Sequence, residues 1–431
     1  MRVIVHCGVV AALLLSMALA APQGDHEGHD HGPHTAEHHH HLHHGEDEPH
    51  PQHEGQHNQM LSQPNADFAF TLYKKLSALP QFQSKNIFFS PLSISMALSM
   101  LALGAKGDTF SQLYQALGYA EMTPETVNEA YEHIFHMLGH NQEHMQLDAS
   151  NAVAVMEEAK VIDKFLEDAK HYYESEAISV DFSKPDVAVQ EINKYIAKNT
   201  NNTINDMVKE VNPATVMMLI NCIYFRGEWM EYFDLEETKK GDFQVDVNTK
   251  ASVDMMQNNG FYEFYEDKEN FTTVLRLPYK GSASMIIVMP DEGKMKEVED
   301  SICRHHLKHW MHAMESSNLI VHMPKYSISG KFSLKDTLES MGVVSAFSHT
   351  ADFTGMTDQK VRVSEVEHKA VLNVDEKGTE AAAATTVEIV LMSAPVQPKT
   401  LKIDRPFLVF ITDYNTKSIL FMGKILNPAA E

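Results

Sequence analysis

Residues Glu376 to Ser393 read EKGTEAAAATTVEIVLMS. Gly378 opens the segment, Ala381 to Ala384 are small and uncharged, and Thr385 to Met392 are rich in strand-forming side chains. Successive side chains of a strand point to opposite faces, so parity decides what is buried. Glu380 and Glu388 share one parity, while Val387, Ile389 and Leu391 share the other. The segment is thus an amphipathic strand, with small residues where it would pass between neighbours. Pro395 and Pro398 follow it, and proline is disfavoured within a sheet. Taken alone, this is an ordinary β-strand.

Working outward, Phe68, Leu72 and Leu76 recur at helical spacing, so order begins near Asn65. Helical patterns dominate the first half, as at Val161 to Glu174 and Val187 to Lys198. Strand patterns dominate the second, as at Ser284 to Met289, Leu319 to Met323 and Phe407 to Tyr414. Helices and strands segregated in this way predict an α+β fold rather than alternating βαβ units. There is no internal repeat, and no linker rich in Gly, Ser or Pro interrupts the chain after Asn65. Residues 64–431 are therefore expected to form one large domain, against the prior set by length alone.

Hydrophobic residues make up 43% of the chain and charged residues 22%, the composition of a globular protein with a sizeable core. The formal charge is -24, which repels phosphate backbones and anionic headgroups. Nucleic acids and membrane surfaces are accordingly not expected as partners. Three cysteines are present. Cys7 precedes the mature chain, Cys222 lies in the apolar run Val216 to Phe225, and Cys303 lies in a helix-like segment, which favours two free thiols.

The first 20 residues read as a secretory signal: Arg2, an apolar run from Val9 to Leu19, and small residues for cleavage at Ala18-Leu19-Ala20. Residues 21–63 are dominated by His, Gly, Glu, Asp, Pro and Gln, and such a segment buries too little to offset its ordering entropy. It contains His53-Glu54-Gly55-Gln56-His57, a match to the HExxH zinc-protease pattern. Gly55 and Pro51 work against the rigid helix that this chemistry needs, so the match is read as a composition accident. His38, His39, His40, His41, His43 and His44 form a dense imidazole cluster for which weak divalent-metal binding is expected. No nucleophile elbow, P-loop or dinucleotide fingerprint occurs, so neither an enzyme nor a cofactor is expected. Sequons at Asn201 and Asn270 are candidate glycan sites.

Val366 to Ala384, VEHKAVLNVDEKGTEAAAA, closely resembles the hinge and reactive loop of the serpin family, and of its alpha-1-antitrypsin group in particular. So do NIFFSPLSIS (Asn86 to Ser95), LINCIYFRGEW (Leu219 to Trp229), MPDEG within Leu277 to Gly293 and HMPKYSISG (His322 to Gly330). ADFTG (Ala351 to Gly355) and the RPF and FMGKILNP motifs between Arg405 and Pro428 complete the likeness, which spans about Asn65 to Pro428.

The resemblance implies a single-use inhibitor of a serine protease, secreted and monomeric, with a large mixed sheet, smaller sheets and an exposed C-terminal loop. It implies that the protease attacks the loop, forms a covalent complex, and is trapped when the cleaved loop enters the sheet. Aligned residue by residue, Met392 and Ser393 fall at the reactive bond, and Glu376, Gly378, Thr379, Glu380 and Ala381, Ala382, Ala383 and Ala384 in the hinge. On insertion Thr379, Ala381, Ala383, Thr385, Val387, Ile389 and Leu391 would face inward, none of them charged. That favours an inhibitor over the alternative, a family member that carries a small hydrophobic ligand. Ser90, Ser93, Asn221 and His368 match a polar cluster beneath the opening sheet, and Lys325, Glu376 and Trp229 a gate where the loop enters it. Methionine at position 392 implies an elastase-like or chymotrypsin-like target, while Leu391 departs from the proline common at its position among the closest relatives. A third class, the collagen chaperones, is disfavoured because Asn427 to Glu431 carries no ER-retention signal. Little heparin response is expected, since Glu129 to Gln146 holds no Lys or Arg.

Overall fold

The computed structural model describes residues 60–139, 143–378 and 397–430. Met392, Ser393, Thr379, Glu380, Ala381 to Ala384, the leader and the arm histidines His38 to His41, His43 and His44 lie outside the described residues. The described chain opens with helix α1 (Ser62–Ser77), strand β1 (Ile87–Phe89), α2 (Pro91–Leu103), α3 (Gly107–Leu117) and α4 (Pro124–Gly139). Then come β2 (Met145–Met156), α5 (Asp163–Tyr173), β3 (Glu176–Val180), α6 (Pro185–Asn199) and β4 (Met217–Gly227). Next are β5 (Lys239–Gln244), β6 (Lys250–Asp267), β7 (Thr272–Pro278), β8 (Ala283–Pro290), α7 (Met295–Ser301) and α8 (Arg304–Ala313). The rest comprises β9 (Glu315–Pro324), β10 (Tyr326–Ser333), α9 (Lys335–Ser340), β11 (Glu365–Val374), β12 (Lys399–Lys402), β13 (Phe407–Asp413) and β14 (Ser418–Ile425).

This is the α+β architecture that the segregated patterns predict. Two sheets result. One has five strands in the order β10-β11-β4-β2-β3, and the other has nine, running β1-β14-β13-β8-β7-β6-β9-β12 with β5 paired to β6. The five-stranded sheet is mixed: β11 runs parallel to β4 and β2 parallel to β3, while the β10–β11 and β2–β4 pairs are antiparallel.

Helix α2 lies beneath this sheet, packed on β2 and β4. Nearly every residue of PLSISMALSMLAL is buried, which is the composition of a helix enclosed on all sides. Pro91 supplies the helical φ of the first position, and Ser90 caps the end by accepting from Ser93 N–H at 3.1 Å. On the opposite face α6 covers the sheet, with Ile192 and Ile196 packed among Met218, Ile220, Cys222 and Tyr224 of β4. Covered on both sides, β4 reads as a continuous apolar run rather than an alternating one. Both cysteines among the described residues are free, and burial pushes the Cys222 thiol up to about 12, so it is an inert core residue.

A buried ionic cluster joins three distant elements. Lys424 Nζ of β14 donates to Glu299 Oε1 of α7 at 2.7 Å, and Tyr73 Oη of α1 donates to the same oxygen at 2.6 Å. All three side chains are buried. Removing one partner leaves a desolvated charge, which costs far more than the intact pair contributes. Glu299→Ala is expected to lower stability by about 3 kcal/mol. The double variant Glu299→Ala/Lys424→Met should recover part of that loss in chemical denaturation. Equal losses in both variants would show that the stranded ammonium is not the cause.

Candidate functional site

The centre of the five-stranded sheet is a seam between β4 and β11, which pair in parallel from Met218 opposite Glu365 to Phe225 opposite Leu372. His368 and Asn221 are register partners across it. His368 Nε2 accepts from the Ser90 N–H at 3.1 Å, so the ring proton sits on Nδ1, which donates to Asn221 Oδ1 at 2.5 Å. Asn221 Nδ2 in turn donates to Ser93 Oγ at 2.5 Å and to Asn151 Oδ1 of β2. One hydrogen-bonded chain therefore ties three adjacent strands to the N-terminus of α2. Every member is buried. Burial with no ionic partner pushes the His368 imidazole down to about 3, so it is neutral whenever the protein is folded at ordinary pH.

On the other face Lys369 Nζ meets Asp206 Oδ1 at 2.5 Å, linking β11 to the segment after α6. That segment is held to its helix by Asn193, whose Nδ2 donates to Val208 O at 2.7 Å while its Oδ1 accepts from Val208 N–H at 2.9 Å.

Beyond the end of β11 the chain turns sharply. Gly378 sits at φ +106°, and a Cβ there would lie 2.1 Å from Gly227 O and 2.7 Å from Trp229 N, so only glycine fits. The Trp229 N–H donates to Lys377 O and its indole Nε1–H to Asp375 O, each at 2.9 Å. The indole stacks on Tyr279 at 4.3 Å between centroids. Glu376 Oε2 accepts from Lys325 Nζ at 2.9 Å, and Oε1 accepts from Thr238 Oγ1 at 2.8 Å. Burial alone would raise the Glu376 carboxyl; the Lys325 ammonium, the Thr238 hydroxyl and the local backbone outweigh it, and the net shift is downward.

The predicted residues thus gather in two groups. Ser90, Ser93, Asn221 and His368 form the hydrogen-bonded chain, and Lys325, Glu376, Gly378 and Trp229 form the turn above the seam. Sequence reasoning missed Asn151, Thr238 and Tyr279. Asn151 carried a signal, as a lone amide within the apolar run AVAVM and its flanks, but only the register shows that it meets Asn221. Asn201 is exposed at φ +48° after α6. Asn270 is half-buried, its Nδ2 donating to Asp267 Oδ2 at 2.6 Å. Among the described residues no group of three or more His, Cys, Asp and Glu is gathered for a metal ion, and no helix is long and apolar enough to cross a membrane.

Residues 63–428 match the family model described as serpin (serine protease inhibitor). The chain belongs to the serpin family. The alpha-1-antitrypsin homolog of Cyprinus carpio is 53% identical to this serpin over 81% of its chain and 93% of the homolog. Human thyroxine-binding globulin complexed with its hormone superposes with a TM-score of 0.82 at 35% identity, covering 87% of this chain and 100% of that one. Human glycosylated kallistatin gives 0.80 at 35%, with the same coverage.

The burial of His368 predicts that this serpin loses stability in acid. Unfolded, His368 binds a proton below about pH 6.5; folded, it does so only near 3. Between those values the unfolded state holds more protons, so stability present above pH 6.5 falls as pH drops. At about 1.4 kcal/mol per unit, lowering the pH to 5 costs roughly 2 kcal/mol. His368→Gln keeps a donor and an acceptor without titrating, so its thermal midpoint should fall less than that of the wild type between pH 7 and 5. Parallel declines would exclude His368 as the source.

Proposed function

We propose that this serpin is a secreted inhibitor that traps a serine protease at the Met392–Ser393 bond. The protease serine oxygen attacks the Met392 carbonyl, the bond to the Ser393 nitrogen breaks, and the new amine leaves with a proton. An ester between the protease and Met392 remains. The cleaved segment, still attached through Gly378, enters the seam and carries the protease with it before water resolves the ester.

The observation that carries this reading is the parallel β4–β11 pair with its hinge at the top. A strand folding back at Gly378 runs antiparallel to both, exchanging one parallel ladder for two antiparallel ones. Each new ladder bond contributes about 1 kcal/mol net, so a full strand of them outweighs the loss of one half-buried pair, Lys325–Glu376. The sequence supports it as well: Thr379, Ala381, Ala383, Thr385, Val387, Ile389 and Leu391 would face inward without burying a charge, while Glu380 and Glu388 face water. Ser90, Ser93, Asn221 and His368 then act as the seam's latch, and Lys325, Glu376 and Trp229 as its gate.

The unbranched apolar Met392 suits the pocket of an elastase-like or chymotrypsin-like enzyme, with Leu391 as a second cleavage point for the latter. Export follows from residues 1–20, glycans sit at Asn201 and Asn270, and the arm binds divalent metal weakly.

Mixing the purified protein with elastase is expected to yield an SDS-stable covalent complex and a released peptide that begins at Ser393. Clean cleavage with no complex would overturn inhibition and favour ligand carriage, the activity named for the thyroxine-binding neighbour. Mild peroxide makes the Met392 side chain polar. It should slow elastase inhibition at least severalfold and leave a Met392→Leu variant unchanged; equal slowing of both would locate the sensitive residue elsewhere.

A further inference from the structure

Helix α8 reads RHHLKHWMHA and buries one side, through Leu307 and Trp310. His305, His309 and His312 fall on the opposite side, spaced i, i+4 and i+7, within about 60° of one another at 3.6 residues per turn. All three are exposed. His306 belongs to a different face, where its Nδ1 lies 3.3 Å from Cys303 Sγ.

Two contacts prepare the exposed rings. His312 Nδ1 lies 2.7 Å from Lys308 O, an acceptor only, so Nδ1 donates and the lone pair of the neutral ring is on Nε2. A ring nitrogen that donates to a backbone carbonyl while the other faces outward is the usual arrangement of a metal-ligating histidine. His309 stands edge-on to Tyr265 of β6, 5.8 Å between centroids. The helix itself is anchored: Arg304 Nε pairs with Asp67 Oδ1 of α1 at 2.7 Å, and the Trp310 indole donates to Asp267 at 2.8 Å. Imidazoles one turn apart on a rigid helix can both reach a single ion, as in the paired histidines of HExxH helices.

We propose that His305, His309 and His312 form a surface site for a borderline divalent cation, Zn2+, Cu2+ or Ni2+, with His309 as the shared central ligand. The three rings are not gathered in this structure, so the ion closes the site by rotating exposed side chains about fixed backbone positions. The site is independent of the histidine arm, and its ligand set is neutral nitrogen, which suits these metals and not Ca2+ or Mg2+.

The full chain, arm included, is titrated with ZnCl2 and labelled with diethylpyrocarbonate, and each histidine is read by peptide mass spectrometry. Cleavage after Arg304 and Lys308 separates His305 and His306 from His309 and His312, and all of these from the arm. Zinc is expected to protect His305, His309 and His312 while His306 serves as the unprotected reference. In His309→Gln the zinc concentration that protects His305 and His312 should rise at least about tenfold. Labelling unaffected by zinc, protection of His306 equal to the others, or unchanged protection in His309→Gln would each overturn the site.

Discussion

A parallel strand pair at the middle of a sheet is the constraint from which the remaining architecture follows. β4 and β11 point the same way, so neither is joined to the other by a hairpin, and the chain between them builds much of the nine-stranded sheet. Parallel pairing is slightly weaker per residue than antiparallel pairing. The sheet compensates by enclosing the pair: α2 seals one face, α6 the other, and the hydrogen-bonded chain from Ser90 to Asn151 holds the strands in register. What is conformationally weak is thus chemically well satisfied.

The two ends of the seam are held differently. Beneath it, neutral groups are buried and mutually bonded, so breaking any one exposes the unsatisfied remainder to a desolvated interior. Above it, Lys325 is partly exposed while Glu376 is buried, so water screens the pair from the lysine side only. Opening from the top is therefore easier than opening from the middle. Gly378 places the turn of the chain directly over Gly227 and Trp229, at the easier end. On the proposed insertion, a segment entering there would meet the weaker restraint first and the stronger one only after several ladder bonds had formed.

Sequence alone conveyed the class of fold, the location of three helices and the residues of both clusters, because each depends on local pattern or on motif. The helical spacing at Val187 to Lys198 became α6, and the apolar run at Val216 to Phe225 became β4 with its buried thiol. The partners that complete each cluster were illegible for a physical reason. Asn151 reaches Asn221 through an antiparallel register, and Thr238 reaches Glu376 across 138 positions; neither contact leaves a periodic trace. Likewise, β2 carries Gln146, Asp148, Ser150 and Asn151 in its first seven residues, which mask a 12-residue strand in a half of the chain dominated by helical patterns.

The choice of histidine at the centre of the latch is itself informative. Position 368 needs an acceptor for the Ser90 N–H and a donor for Asn221, set at two edges of one rigid ring. Neutral imidazole supplies both, and its flat face lies alongside Phe332 of β10, 6.5 Å between centroids. Glutamine supplies the same groups on a flexible stem, which loses more rotamer entropy on burial. The rigidity comes with a titratable nitrogen: a proton on Nε2 would turn two donors toward one acceptor and repel the Ser90 amide. Burial delays that event to about pH 3, well below the value for a solvated ring. The latch is therefore firm because the ring is neutral, and its firmness is tied to the same burial that makes the seam costly to wet.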